Sequence, residues 1–290
     1  MRSESKILNL IKSFAAENEK VRGLILNGSR VNPNVKKDIF QDYDIIYLAN
    51  DVDYFKQQNI IFEHFGQPVL MQKPEDKILP PPMNDGRYIY LMQFEDGSRI
   101  DMTFADENHL DIILEDSLSK VLIDKDNILN RFKKPSEKSY FTKKPSEKEF
   151  DDTCNEFIWG IGSHIPKTIW RKELPLLKTL INLVLRKPLL RMIDWEIAIR
   201  NDFKVSTGKG YKKLKEYLEP EIWEKYKKTY SDYKYESIWN SLFILHELFE
   251  KHAREVADKL DFDFPEKESE KAMKFLKHVK NLPVNAKSIY

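Results

Sequence analysis

Lys133-Lys134-Pro135-Ser136-Glu137-Lys138 returns ten residues later as Lys143-Lys144-Pro145-Ser146-Glu147-Lys148, and the chain changes character across this pair. Before it, short apolar runs with strand spacing alternate with helical segments. After it strand signals vanish and helical spacing takes over, as in Ile238, Leu242, Leu245 and Phe249. So short a repeat builds no solenoid, and its polar composition reads as a linker. Ser146 with Glu149 in the second copy forms a capping box, which opens a helix. The expected fold is α+β: a mixed-sheet domain over residues 1–135, then an all-helical domain over residues 136–290.

Within the first part, Ile7, Leu10, Ile11 and Phe14 recur at helical spacing and predict a helix over 3–18. Strands are expected over 21–27, 44–48, 68–71, 88–94, 99–104 and 120–123, and helices over 53–65 and 106–116. Leu79-Pro80-Pro81-Pro82 cannot be helical and predicts a loop. Asp96-Gly97 suits the tight turn of a hairpin between Tyr88–Phe94 and Arg99–Phe104.

Chemistry concentrates at Gly28-Ser29-Arg30, Asp42-Tyr43-Asp44 and Asp101. A Gly-Ser turn after an apolar strand offers backbone N–H groups to an anion. Asp42 and Asp44 are two apart on a strand and so share a face. Asp101, in a later strand, can bring a third carboxylate beside them. Three converging carboxylates suit a hard divalent cation, commonly Mg²⁺ shared with phosphate oxygens. Asp44 and Asp101 lie in otherwise apolar strands, where an unpaired carboxylate is costly and a cation removes the cost. The bland alternative is an acidic strand edge that is merely solvated. Phosphate cradle and metal carboxylates together point to nucleotide chemistry.

The order Asn27-Gly28-Ser29-Arg30, then Gln41-Asp42-Tyr43-Asp44-Ile45, resembles the DNA polymerase beta-like nucleotidyltransferases. Longer strings narrow the resemblance to the aminoglycoside 6-adenylyltransferases, also called streptomycin adenylyltransferases. They are Met71-Gln72-Lys73-Pro74-Glu75-Asp76, Phe94-Glu95-Asp96-Gly97, Glu149-Phe150-Asp151-Asp152, Cys154-Asn155-Glu156-Phe157, Leu189-Leu190-Arg191-Met192, Gly208-Lys209 with Lys212, and Tyr217-Leu218. The resemblance implies a nucleotidyltransferase domain followed by a helical substrate-binding domain, with the antibiotic in a cleft between them. It implies Mg²⁺-dependent transfer of AMP from ATP to a hydroxyl of an aminoglycoside, foremost the 6-hydroxyl of streptomycin, giving antibiotic resistance. Two Mg²⁺ ions would sit on Asp42, Asp44 and Asp101, and Gly28 and Ser29 would hold the triphosphate. Asp101 is also the residue to accept the substrate's proton, directly or through the metal. Arg30 would reach a phosphate or pair with a local carboxylate.

In the second part, the resemblance implies that Lys209 and Lys212 contact the β- and γ-phosphates, against the alternative of a helix start with a solvated basic face. This stretch is no Walker motif, lacking the upstream glycine and the following Ser or Thr. Phe150, Cys154, Phe157, Ile158 and Ile161 form a core stripe, with Cys154 an inert thiol. Asp152, Glu156 and Trp159, at i, i+4 and i+7, form an adjacent face suited to a guanidinium-bearing sugar, through charge-assisted bonds and cation–π contact. The alternative is an exposed face with Trp159 in the core. Trp195 reads as core, and Asp194 and Glu196 as a possible further acidic wall.

A net charge of only +1 and the lack of a basic-aromatic groove argue against nucleic acid as partner. One cysteine excludes an internal disulfide and a cysteine-rich zinc site, and the six histidines show no ligand spacing. The longest apolar run, near Leu174 to Leu185, is broken by Lys178 and Asn182, so no membrane span is expected. The start reads as an amphipathic segment rather than a signal peptide, and the expectation is a cytoplasmic monomer or weak homodimer. The rival functions are nucleotidyl transfer to RNA or protein, and non-catalytic binding of ATP or an aminoglycoside.

Overall fold

The structure is a computed structural model that describes residues 2–290. It divides into two compact units, Met1–Ser139 and Tyr140–Tyr290. The division falls four residues beyond the expected 135 because side chains tie the first repeat copy to the first unit. Glu137 accepts from the Asn32 and Asn34 amides, each at 2.8 Å, and the Ser139 hydroxyl accepts from the Ser117 N–H at 3.0 Å.

The first unit opens with α1 (Glu4–Glu17), capped by the Ser3 hydroxyl, which accepts from the Lys6 N–H. It buries Ile7, Ile11, Phe14 and Ala15, one face at helical spacing. Then come β1 (Val21–Asn27), a 3₁₀ turn at Gly28–Val31, β2 (Tyr43–Ala49), α2 (Gln58–Phe65), β3 (Leu70–Gln72), β4 (Tyr88–Gln93), β5 (Arg99–Ala105), α3 (Leu110–Leu114) and β6 (Ser119–Asp124). The expected helix over 53–65 is interrupted at Gln57, whose extended backbone separates a 3₁₀ turn from α2. The helix expected over 106–116 shortens to a 3₁₀ turn plus the five residues of α3, with Asp106 capping the entry.

The six strands form one sheet in the order β3-β4-β5-β2-β1-β6. Only β2 and β5 run parallel, so the sheet is mixed. Alternation sends Tyr43, Ile45, Tyr47, Tyr90, Met92, Ile100, Met102 and Phe104 to the face under α1 and α2. There the Phe104 ring stacks on Phe55 at 4.4 Å and on Tyr47 at 5.3 Å. Each such buried ring contributes about 1.5–3 kcal/mol of burial free energy. On the opposite face α3 lays Ile113 over Ile25, Leu48 and Ala105. That cover reaches only one end of β2 and β5. At the other end Asp44 and Asp101 face the same side and are half-buried.

The second unit is wholly helical. α4 (Glu147–Trp159) starts at the Ser146–Glu149 capping box and continues through a wide π turn at Gly160–His164 into α5 (Ile165–Trp170). α6 (Leu174–Leu180) likewise passes through a π turn at Ile181–Arg186 into α7 (Lys187–Arg200). The two wide turns meet at Gly160, where a Cβ would lie 2.4 Å from Val184 Cγ1. Short helices α8 (Leu214–Tyr217) and α9 (Pro220–Lys227) precede α10 (Tyr235–Leu260) and α11 (Glu266–Lys280). The core is built on α10, whose Phe249 stacks on Phe157 of α4 at 3.8 Å. Among the described residues no helix is long and apolar enough to cross a membrane.

Candidate active site

The open face of the first unit carries one row of side chains across five strands. Register pairs Asn27 with Asp44, Asp44 with Asp101, Asp101 with Leu91, and Leu91 with Gln72. Directly paired residues point to the same side of a sheet, so the parallel pairing of β2 with β5 sets two carboxylates side by side. Asp42, just before β2, completes the group. One oxygen from each of Asp42, Asp44 and Asp101 lies within 4.8 Å of the others, and among the described residues no other such group of His, Cys, Asp or Glu occurs.

This arrangement concentrates negative charge in a half-buried place. Burial first, then the neighbouring carboxylates of Asp42 and Asp101, push the Asp44 carboxyl up to about 6, while the Arg99 guanidinium pulls the other way. Arg99 donates through Nε and Nη2 to the two oxygens of Asp101, at 2.9 and 2.6 Å, and lies 3.9 Å from Asp42. Within the structure Arg99 therefore supplies part of the positive charge the carboxylates demand. Sequence reading gave Arg99 no role, although its place two residues before Asp101 in a strand already put it on the same face.

Gly28 closes the other side. It has φ +75°, and a Cβ there would lie 2.4 Å from Asp44 Oδ2. Only a residue without a side chain combines that backbone with that approach. The turn it opens is a single 3₁₀ turn. The Gly28 N–H is not free, for it donates to the Leu118 carbonyl at 2.9 Å. Ser29 follows, half-buried at the rim. Arg30 stacks on the Tyr43 ring at 3.5 Å and donates to the carbonyls of Asp42 and Gln41 at 2.7 and 2.6 Å. Its guanidinium thus fixes the backbone that carries Asp42, with Glu4 as its carboxylate neighbour at 3.8 Å.

Two groups beside the carboxylates lack partners. Asn27 Oδ1 and both side-chain amide atoms of Gln41 are buried without a hydrogen bond among the described residues. Buried polar atoms are nearly always paired, so these orphans mark places for groups the protein does not itself supply. The three carboxylates make an all-oxygen set that fits a hard cation, and the Gln41 amide nitrogen can donate to a phosphate oxygen.

The comparisons with known proteins agree in one direction. The profile of the family described as streptomycin adenylyltransferase matches residues 1–279. The chain belongs to the streptomycin adenylyltransferase family. An aminoglycoside 6-adenylyltransferase of Bacillus subtilis (strain 168) is 38% identical over 268 residues, covering 92% of this chain and 94% of the relative. One from Staphylococcus aureus is 37% identical, covering 91% and 94%. A crystal structure of an aminoglycoside 6-adenyltransferase from Bacillus subtilis is 34% identical, spans 97% of this chain and all of its own, and has a TM-score of 0.48. As a member of this family the chain is an enzyme, a nucleotidyltransferase.

The remaining expected site residues of this family member lie in the second unit. Lys209 and Lys212 are both exposed, on a turn that Gly208 opens at φ +79°. Asp152 pairs with Lys148 one turn earlier on α4, and Trp159 is 61% exposed, not in the core. Both line a cavity of about 770 Å³, with Asp151, Asn155, Asp263 and Glu268. Glu156 does not line it. Glu156 faces α7, 3.8 Å from Arg191. Asp194 is taken up by Thr142 and Thr207, Glu196 by His252 and Arg200, and Trp195 is buried. Burial pushes the Cys154 thiol up to about 12, which leaves it unreactive.

Proposed function

We propose that this enzyme transfers AMP from ATP to a hydroxyl of an aminoglycoside, in particular the 6-hydroxyl of streptomycin, in the cytoplasm where ATP is available. The observation that carries the reading is the convergence of Asp42, Asp44 and Asp101 beside Gly28, in a chain whose relatives bear that activity in their names. Asp42, Asp44 and Asp101 would hold Mg²⁺, as two ions. Magnesium there supplies charge neutralisation for the α-phosphoryl group and the departing pyrophosphate.

The protein's own residues do the rest. Gly28 lets the turn approach the carboxylates, and Ser29 faces the triphosphate. Arg30 acts through Asp42, which it aims by holding the adjoining carbonyls. Asp101 takes the proton of the attacking hydroxyl as that oxygen bonds to the α-phosphorus and the bond to the β-phosphate breaks. Lys209 and Lys212 contact the phosphates that leave. Asp152 and Trp159 bind the guanidinium-bearing substrate, Asp152 by charge and Trp159 through its ring face. Charge supports this, since the cavity they line holds four carboxylates against Lys148 and Lys271.

Pyrophosphate release from Mg–ATP across a panel of aminoglycosides and RNA, with mass spectrometry of the product, tests the reading. Streptomycin gaining one AMP is the expected result. Release with RNA and none with any aminoglycoside would overturn it.

A further inference from the structure

The second unit holds another cavity, of about 440 Å³, between α5, α11 and the segment that follows α11. Trp170, Phe275, Val279, Leu282 and Ile289 give it an apolar lining. Three exposed cations, Lys167, Arg171 and Lys287, line it as well, and no carboxylate does. Among the described residues none of the three has an ion-pair partner. The indole Nε1 of Trp170 is buried without a hydrogen bond. A buried indole N–H usually finds an acceptor, so the cavity combines an orphan donor with uncompensated positive charge.

We infer that this cavity binds a carboxylate with an apolar body, a medium-chain or aromatic acid. Its head group lies among the three cations and accepts from the Trp170 N–H, and its body lies against Phe275 and Val279. Pockets for small organic ligands commonly hold about 300–1,000 Å³, and this one falls inside that range. Three like charges facing one space repel, and an anion there relieves the repulsion. A nucleobase would need several polar partners. Besides the indole the lining offers only the Ser163 and Ser288 hydroxyls, and Ser288 already donates to the Tyr290 carbonyl at 2.6 Å. The adjoining acidic cavity shares Gly162, Ser163 and Phe275 with this one but carries the opposite charge. A guanidinium-bearing antibiotic is therefore repelled here, and neither the cavity nor its charge depends on the activity proposed above.

Local structure explains the arrangement. Pro166 and Trp170 stand four residues apart, as do Lys167 and Arg171, so one side of this helical stretch presents both pairs. The opposite wall folds back on α11. The Ala286 N–H donates to the Pro283 carbonyl at 3.0 Å, His278 Nε2 donates to the Ile289 carbonyl, and the Tyr290 ring stacks on His278 at 4.7 Å. Leu282, Lys287 and Ile289 lie beyond residues 1–279, so this wall is no part of what the family profile matches. Cations near the end of a helix also meet its terminal carbonyls, as Lys167 and Arg171 can. That role leaves Lys287 and the Trp170 indole unexplained.

Octanoate and its uncharged analogue octanol test the site on the full chain. Calorimetry should find octanoate bound about tenfold more tightly than octanol. The double variant Lys167→Gln, Arg171→Gln should lose about tenfold for octanoate and nothing for octanol. The indole N–H resonance of Trp170, assigned by its loss in Trp170→Phe, should shift as octanoate is added. Ala286→Trp, in the segment after α11, fills the cavity and should abolish binding of both probes while the helical circular dichroism is kept. Equal affinity for octanoate and octanol, or octanoate binding that ignores the charge variant and leaves the Trp170 resonance in place, would overturn the site. Absence of octanoate binding at millimolar concentration would do the same.

Discussion

Gly28 and Asp44 are in contact across the end of the sheet: a Cβ on Gly28 would stand 2.4 Å from Asp44 Oδ2. Gly28→Ala must therefore move the carboxylate, and it must also hold a side chain at φ +75°, which costs about 1–2 kcal/mol. The melting temperature should drop by a few degrees. Turnover should fall about a hundredfold, the usual consequence of an ångström-scale misplacement. Circular dichroism with steady-state kinetics checks both, and a variant with wild-type turnover would show that Asp44 is not needed where it stands.

The three carboxylates should respond differently to neutralisation. Asp42→Asn and Asp44→Asn each remove a metal contact, and loss of a metal that stabilises the transition state costs several kcal/mol, so rates fall by orders of magnitude. Asp101→Asn should lose turnover while Mg–ATP binding by calorimetry stays measurable, because it also removes the proton acceptor. Parallel loss of binding and turnover would leave Asp101 as a ligand alone.

Burial and two neighbouring carboxylates raise Asp44 from its ordinary 3.8 to about 6. Between these values the folded chain binds more protons than the unfolded one, so metal-free stability falls as pH rises through the window. Mg²⁺ should therefore raise the melting temperature more at pH 7.5 than at pH 5. Asp44→Asn should be more stable than wild type without metal at pH 7.5. kcat/KM should fall below about pH 6, and the acid limb should move lower as Mg²⁺ is increased. A limb that ignores Mg²⁺ would assign it to another group.

The carboxylate cluster was legible because alternation along a strand is a local rule: Asp42 and Asp44 had to share a face. That β2 and β5 pair in parallel, setting Asp44 beside Asp101, is a long-range fact no local pattern contains. The two-part fold was legible from the loss of strand spacing after the repeat. The boundary shifted because Glu137 and Ser139 bond backward to residues far away in sequence. Arg30 illustrates a further limit. Its charge was visible, but its hold on the Gln41 and Asp42 carbonyls depends on how the loop returns. Asp152 and Glu156 share a helix face by spacing, yet α7 brings Arg191 to only one of them.

That asymmetry between Asp152 and Glu156 yields the last prediction. Asp152 lines the acidic cavity and, among the described residues, pairs with the exposed Lys148, whereas Glu156 lies outside the cavity beside Arg191. A charge-assisted hydrogen bond contributes about 1.5–3 kcal/mol, so Asp152→Asn should raise streptomycin KM about tenfold to a hundredfold. Glu156→Gln should raise it far less, and neither should move the KM for ATP. Trp159→Ala should add about threefold or more through the lost cation–π contact. Added salt should weaken streptomycin binding in the wild type and less so in Asp152→Asn. If Glu156→Gln instead weakened binding as much as Asp152→Asn, the cavity wall would not be the docking face, and the antibiotic's guanidinium groups would lie toward Arg191, where a positive side chain already stands.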